Sequence, residues 1–440
     1  MLKSRYAFPL VALGLSTLLL LVASLAVVTV IRALPGRYAY YLPEPLQKVR
    51  HRPHPGALPT PVVEQAPALD QTPTLVPTMT PVSGPTEERP PTGTPTIQAA
   101  TSTPFPTPSP TLIPSPTPTL PAAFSLTGLR HEHQTWNNCG PATLTMLLSY
   151  WGSERTQQDA APILKPDPDD KNVSPWELEA YTGNQGLEVI TRANGDLGRI
   201  KELLRAGFPV IVETWYVRDA QDQLGHYRLI VGYDDATQQF MTYDSLHGPD
   251  IPIGYQELDE LWRVFNRVYL VAYAPDRWSE LAEILGGDIE TAAMYERALE
   301  VARAEAASPP SECVAYADCG DWVTFSWFNV GSSLNSLGRH QEAAAAYDRA
   351  RQLGLHYRML WYQFGPYESY YKAGRYDDVI ALADATLATA RNLEESYYWR
   401  GLARLAQGNA KGARSDFNTA LRYHEGWAPA LEALSSLDGS

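Results

Sequence analysis

Three short stretches carry side chains that can act together on a carbonyl carbon: Gln134 to Ala142 (QTWNNCGPA), Gly225 to Tyr227 (GHY) and Tyr243 to Ser245 (YDS). A thiol attacks as its thiolate, and an imidazole can take the proton and later return it. A carboxylate can orient the imidazole, and an amide N–H can hold the oxyanion that forms. Cys139 stands just before Pro141 and an apolar run through Ala142, Leu144, Met146, Leu147, Leu148 and Trp151. That spacing predicts a buried helix, with Pro141 suited to its first turn. Cys139 is therefore expected at a helix N-terminus, where free amides favour the thiolate and lower its pKa. Gly140 lets backbone come close to a substrate.

The other two stretches need a sheet. Residues 208–216 (FPVIVETWY), 225–235 (GHYRLIVGYDD), 238–245 (QQFMTYDS) and 267–275 (RVYLVAYAP) read as strands, with a mixed helical region over 174–206. A turn near Asp235 would fold the second strand onto the third and set His226 beside Asp244 or Ser245, since opposed side chains stand about 5 Å apart. His226 then reads as general base and acid, Asp244 as its orienting partner and Cys139 as nucleophile. Gln134, five residues before Cys139, can return its amide to the helix start and form a two-donor oxyanion hole with the Cys139 N–H. His131, His133 and Cys139 match no closed zinc spacing. His247 falls in a Leu-His-Gly-Pro turn and reads as a rim residue. Trp136, Trp215 and Tyr227 are open between lining a groove and packing.

This combination, Gln-x-x-x-x-Cys-Gly-Pro-Ala followed by Gly-His-Tyr-x-x-x-x-Gly-Tyr-Asp and Tyr-Asp-Ser, resembles the papain-like cysteine peptidases related to the bacteriocin-processing, double-glycine type. The resemblance spans roughly residues 126–273. It implies a papain-like α+β domain that cleaves peptide bonds, with Cys139 matching the nucleophile, His226 the base, Asp244 the third member and Gln134 the oxyanion glutamine. No ATP-cassette module accompanies it here, so a stand-alone exported homologue is the nearer expectation.

The remaining chain sets the context. After a short segment, 1–7, residues 8–31 are uncharged and long enough for one transmembrane helix. Flanking charge orients the rest of the chain outward, with secretion after signal cleavage as the alternative. Twenty of the 37 prolines lie between Pro53 and Pro121, so 32–123 is expected to be a disordered, extended Pro/Thr/Ser-rich stalk. The peptidase-like domain is placed at 124–275.

Over 276–436, Gly331, Gly338, Ala343, Tyr347 and Ala350 are echoed by Gly401, Gly408, Ala413, Phe417 and Ala420. The pattern resembles the tetratricopeptide repeat family and implies an all-α solenoid that recruits a peptide, a protein partner or the substrate, or that braces its neighbour. The aromatics from Trp361 to Trp399 are open between a binding surface and packing. A net charge of -14 argues against a nucleic-acid partner. Cys313 and Cys319 are spaced to pair or to stay free. No cofactor or metal is implied. The expected function is an extracytoplasmic thiol hydrolase acting on a peptide or protein, at the cell membrane. The alternatives are a silent peptide-binding adaptor or a transamidase on the same residues.

Overall fold

The computed structural model describes residues 121–438 except 220, 221 and 316–318, together with residues 24, 26–31, 34, 42, 43, 46 and 58–62. The expected membrane span, 8–31, lies mostly outside the described residues. Of it, residues 24 and 26–31 are helical. Among the described residues no helix is long and apolar enough to cross a membrane.

An antiparallel sheet and the helices against it occupy the first part. Its strands are β1 (Ala123–Ser125), β2 (Glu188–Arg192), β3 (Val210–Asp219), β4 (Asp222–Asp234), β5 (Gln239–Asp244), β6 (Gly248–Gly254) and β7 (Tyr269–Tyr273). They run in the order β2-β7-β3-β4-β5-β6, with β1 paired to β4. Helix α1 (Cys139–Tyr150) crosses one face, with α2 (Gln157–Leu164) and α3 (Pro175–Gly183) beside it. Leu144, Leu147 and Leu148 of α1 meet Ile211, Tyr227, Leu229 and Val231 in one buried cluster. These alternate positions on β3 and β4 are what give the sheet its apolar face. β2 and β6 fall where no strand was expected: β2 is short, and β6 carries Pro249 and Pro252, which suit only an edge. Helices α4 (Leu197–Arg205) and α5 (Tyr255–Trp262) complete this part.

Among the described residues nine further α-helices follow: α6 (Trp278–Leu285), α7 (Thr291–Ala307), α8 (Trp322–Ser336), α9 (His340–Gln352), α10 (Gly365–Lys372), α11 (Tyr376–Thr389), α12 (Glu394–Ala406), α13 (Ala410–Tyr423) and α14 (Ala428–Asp438). Glycine sets how closely two of the pairs cross. A Cβ on Gly331 of α8 would lie 2.6 Å from the Tyr347 ring of α9, and one on Gly401 of α12 would lie 2.6 Å from Phe417 of α13. Cys313 and Cys319 are disulfide-bonded.

The helices share a core with the sheet. Trp215 of β3 is fully buried, with ring contacts to Phe265, Phe325, His356 and Tyr362. Arg358 donates to Asp222 Oδ1 and to Gln223 O, both at 2.7 Å. Among the aromatics left open by the sequence, Trp361, Tyr367 and Tyr370 are buried, so they pack rather than present a surface. Part of the expected stalk is also fixed. At residues 58–62, Leu58 is buried, Arg351 Nε donates to Pro59 O at 3.0 Å, and Val62 N donates to Asp378 Oδ1 at 3.0 Å. A buried arginine needs acceptors, and the proline-rich chain supplies a carbonyl there.

Candidate active site

Cys139 is the first residue of α1, behind an Asn138 cap. Its own N–H therefore has no partner within the helix. Side-chain amides fix the loop that leads to it: Asn137 Nδ2 donates to Asp170 O at 2.9 Å and Asn138 Nδ2 to Thr135 Oγ1 at 2.8 Å. Gln134 is tied to the end of β5, donating its N–H to Ser245 O at 2.9 Å and accepting from Ser245 Oγ at 2.8 Å through Oε1. With Oε1 engaged, Nε2 is the donor end that remains for a ligand.

His226 Nε2 meets Asp244 Oδ1 at 3.0 Å, both side chains fully buried. The two are diagonal neighbours rather than directly opposed. β4 and β5 pair from Asp234↔Gln239 to Gly232↔Met241, then shift at a bulge to Ile230↔Thr242 and Leu229↔Tyr243. Continuing that register sets Asp244 opposite Arg228 and one step from His226, on the same face. Without the bulge, Asp244 would oppose Leu229 and point to the other face. Arg228 Nε donates to Asp244 Oδ2 at 3.0 Å, and the Leu246 and His247 N–H groups donate to Oδ1 at 2.8 and 3.2 Å. His131 Nε2 lies 2.9 Å from the Asp244 carbonyl oxygen. His247 touches the Asp244 carboxylate through its backbone, and its ring lies against Tyr216.

Cys139 and His226 line one narrow cavity together with Asn172, Glu213, Tyr227 and Tyr362. It has room for about one water molecule. His226 Nδ1 is buried without a hydrogen-bond partner, so it is the ring nitrogen that Asp244 does not engage. Gln134 and Asp244 are not on this wall. A wider cavity of about 350 Å3 opens at Asp244, Arg228 and His247 and reaches Val314 and Ala315 of the disulfide loop. Of the three aromatics left open by the sequence, Tyr227 lines the narrow cavity and donates its hydroxyl to Val173 O at 2.9 Å. Trp215 is core, and Trp136 stacks under Lys171.

Electrostatics depart from the sequence expectation at the thiol. Burial pushes Cys139 above its ordinary pKa, outweighing the Tyr227 and Gly140 amides and Lys165 that pull it down. The helix start is present, but a closed cavity penalises the thiolate more than two amides favour it. Burial likewise holds His226 below its usual value, against the pull of Asp244. Burial would raise Asp244, yet His226, then Arg228 and the Leu246 N–H, hold it well below the carboxylate range.

Two members of the site were not legible in the sequence. Glu213, fully buried on β3, is pushed by burial up to about 8, and its Oε2 has no partner. The acid in the middle of VIVETW was the available signal. Tyr362 comes from the helical region, and its ring lies where a Cβ on Gly225 would come within 3.2 Å. Gly225, adjacent to His226, makes room for that ring.

Residues 127–270 match the Peptidase_C39 like family, which points to a peptidase. A solved C39-like peptidase from Bacillus anthracis is similar at 14% identity, over 34% of this chain and 96% of that one, with a TM-score of 0.28. None of the curated proteins matches.

Proposed function

We propose that this chain is a cysteine peptidase that works through an acyl-enzyme at Cys139. The observation that carries the reading is the buried His226–Asp244 pair, with His226 and Cys139 both among the residues that line one narrow cavity. The Cys139 S–H proton passes to His226 Nδ1 as Sγ bonds to the substrate carbonyl carbon. The oxyanion is held by the Cys139 N–H and Gln134 Nε2. His226 returns the proton to the leaving amine as the C–N bond breaks. Water then attacks the thioester, giving a proton to His226, which returns it to the thiol as the acid leaves. Asp244 keeps the proton on Nε2 so that Nδ1 can act.

The helical region reads as tetratricopeptide-like repeats that recruit a protein or peptide, and the chain as membrane-anchored with both folded parts outside the cytoplasm. The close approach of α8 to α9 and of α12 to α13 at Gly331 and Gly401 supports the repeat reading. A resting form with little activity is the second reading, favoured by the narrow cavity and the protonated thiol.

The test is peptide hydrolysis and iodoacetamide labelling across pH 5 to 9 for wild type, Cys139→Ala, His226→Ala and Asp244→Asn. Activity should vanish in the first, and fall about 100-fold or more in the other two, the usual scale of acid–base assistance. Unchanged turnover in Cys139→Ala would refute the peptidase reading. A wild type without turnover, but with a His226-dependent labelling profile, would favour the resting form.

A further inference from the structure

Away from the thiol, at the junction of the sheet and the helices, carboxylates are buried together. Glu177 lies in the first turn of α3, Glu394 and Glu395 in the first turn of α12, and His424 caps α13. One ligand atom from each of Glu177, Glu394 and His424 falls within 4.8 Å of the others. His424 Nδ1 is 2.7 Å from Glu394 Oε1. Glu395 stands beside them, 6% exposed, with Asn172 Nδ2 at 3.3 Å from Oε1 and no partner at all for Oε2.

That orphan oxygen is informative. An ionised Glu395 would want a donor there, and a protonated one would want an acceptor. No donor meets it; a cation would satisfy the first case and a neighbouring carboxylate the second. Glu177, Glu394 and His424, drawn from segments more than 200 residues apart in sequence, bring their ligand atoms together, with the buried Glu395 beside them.

We propose that Glu177, Glu394, Glu395 and His424 hold one divalent cation of the transition-metal type, Zn2+ or Mn2+, that joins the helical region to the sheet domain. Carboxylates alone would suit Mg2+ or Ca2+, and the imidazole shifts the preference to a metal that accepts nitrogen. Bonds of about 2.0–2.2 Å set tetrahedral ligand atoms roughly 3.4 Å apart, so the His424–Glu394 contact would open from 2.7 Å and the wider pairs would close. The cation would also brace the thiol site. Asn172 shares Glu395, and Asn172 lines the Cys139 cavity.

The test uses purified full-length protein in a Cys139→Ser background, which removes the competing thiol. It is stripped with a chelator, returned to metal-free buffer and titrated with Zn2+ or Mn2+. Bound metal is counted by mass spectrometry, and Tm is recorded in parallel. One equivalent per chain is expected, with Tm rising by about 5 °C near saturation. Glu394→Gln with His424→Ala should lose both responses, and with chelator present its Tm should equal or exceed that of the stripped parent, since a like charge is gone. If that pair fails to fold, Glu177→Gln takes its place and should lose the same responses. Absence of stoichiometric metal in the parent, or an undiminished response in the folded variant, overturns the proposal. A response to Ca2+ with none to Zn2+ or Mn2+ overturns the assignment of His424 as a ligand.

Discussion

Removing the Tyr362 ring should make Cys139 more reactive. Tyr362 lines the thiol cavity and packs on the Gly225 backbone beside His226. Burial is the largest influence on the thiol and raises its pKa, so Tyr362→Ala, by admitting water, should lower it. At a pH below the thiol pKa, each unit of fall raises the thiolate fraction about tenfold. The accompanying loss of nucleophilicity, with a Brønsted slope of about 0.4–0.5, takes back about threefold. A net gain of roughly threefold per unit follows at pH 7, with easier access adding to it. Cys313 and Cys319 are paired, so iodoacetamide reports Cys139 alone. The second-order rate constant from pH 6 to 9 gives pKa and access separately. Tyr362→Phe keeps the ring and should behave as wild type, and Tm verifies that the variants are folded. Identical profiles in folded Tyr362→Ala and wild type would refute the idea that the helical region controls this thiol.

Two further outcomes are expected. Glu213, raised to about 8 from an ordinary 4.5, binds a proton more tightly folded than unfolded, so its contribution is complete below about pH 4.5 and is lost as pH rises through 8. Glu213→Gln should therefore gain on wild type by a few kcal/mol between pH 5 and 8, seen as diverging Tm curves; parallel curves would refute it. Val62→Pro removes the N–H that Asp378 accepts while leaving the Arg351 contact, which costs about 1 kcal/mol of docking. Limited proteolysis around 58–62 should then quicken about fivefold, and an unchanged rate would mean that this contact does not hold the segment.

How far the sequence could be read depends on the range of the forces involved. The helix at Cys139 and the strands β3, β4, β5 and β7 show in their own periodicity, because each buries one face locally. β6 did not, since Pro249 and Pro252 imitate a turn, and an edge strand tolerates them. The meeting of His226 with Asp244 was foreseeable, but its diagonal geometry was not. It depends on the bulge between Ile230 and Gly232, which leaves no mark beyond a glycine. The thiol pKa was misjudged for a similar reason. The amides at the start of α1 are visible in the sequence, whereas the desolvation that overrides them comes from a cavity closed partly by Tyr362.

That closure also limits how the site can open. Trp215 and Phe265 belong to the sheet domain, yet they pack against Tyr362, and Trp215 also against Phe325 and His356. Burying such rings contributes on the order of 2–3 kcal/mol each, and separation would also strip Arg358 of Asp222, leaving a buried charge exposed or unpaired. Lifting the helical region away as a body would forfeit all of this at once. Tyr362 itself hangs at the end of a single 3-10 turn, Tyr357–Trp361, and one rotamer change there moves its ring alone. Access to Cys139 is therefore cheaper through that one turn than through the interface, which is why Tyr362 is the residue to perturb first.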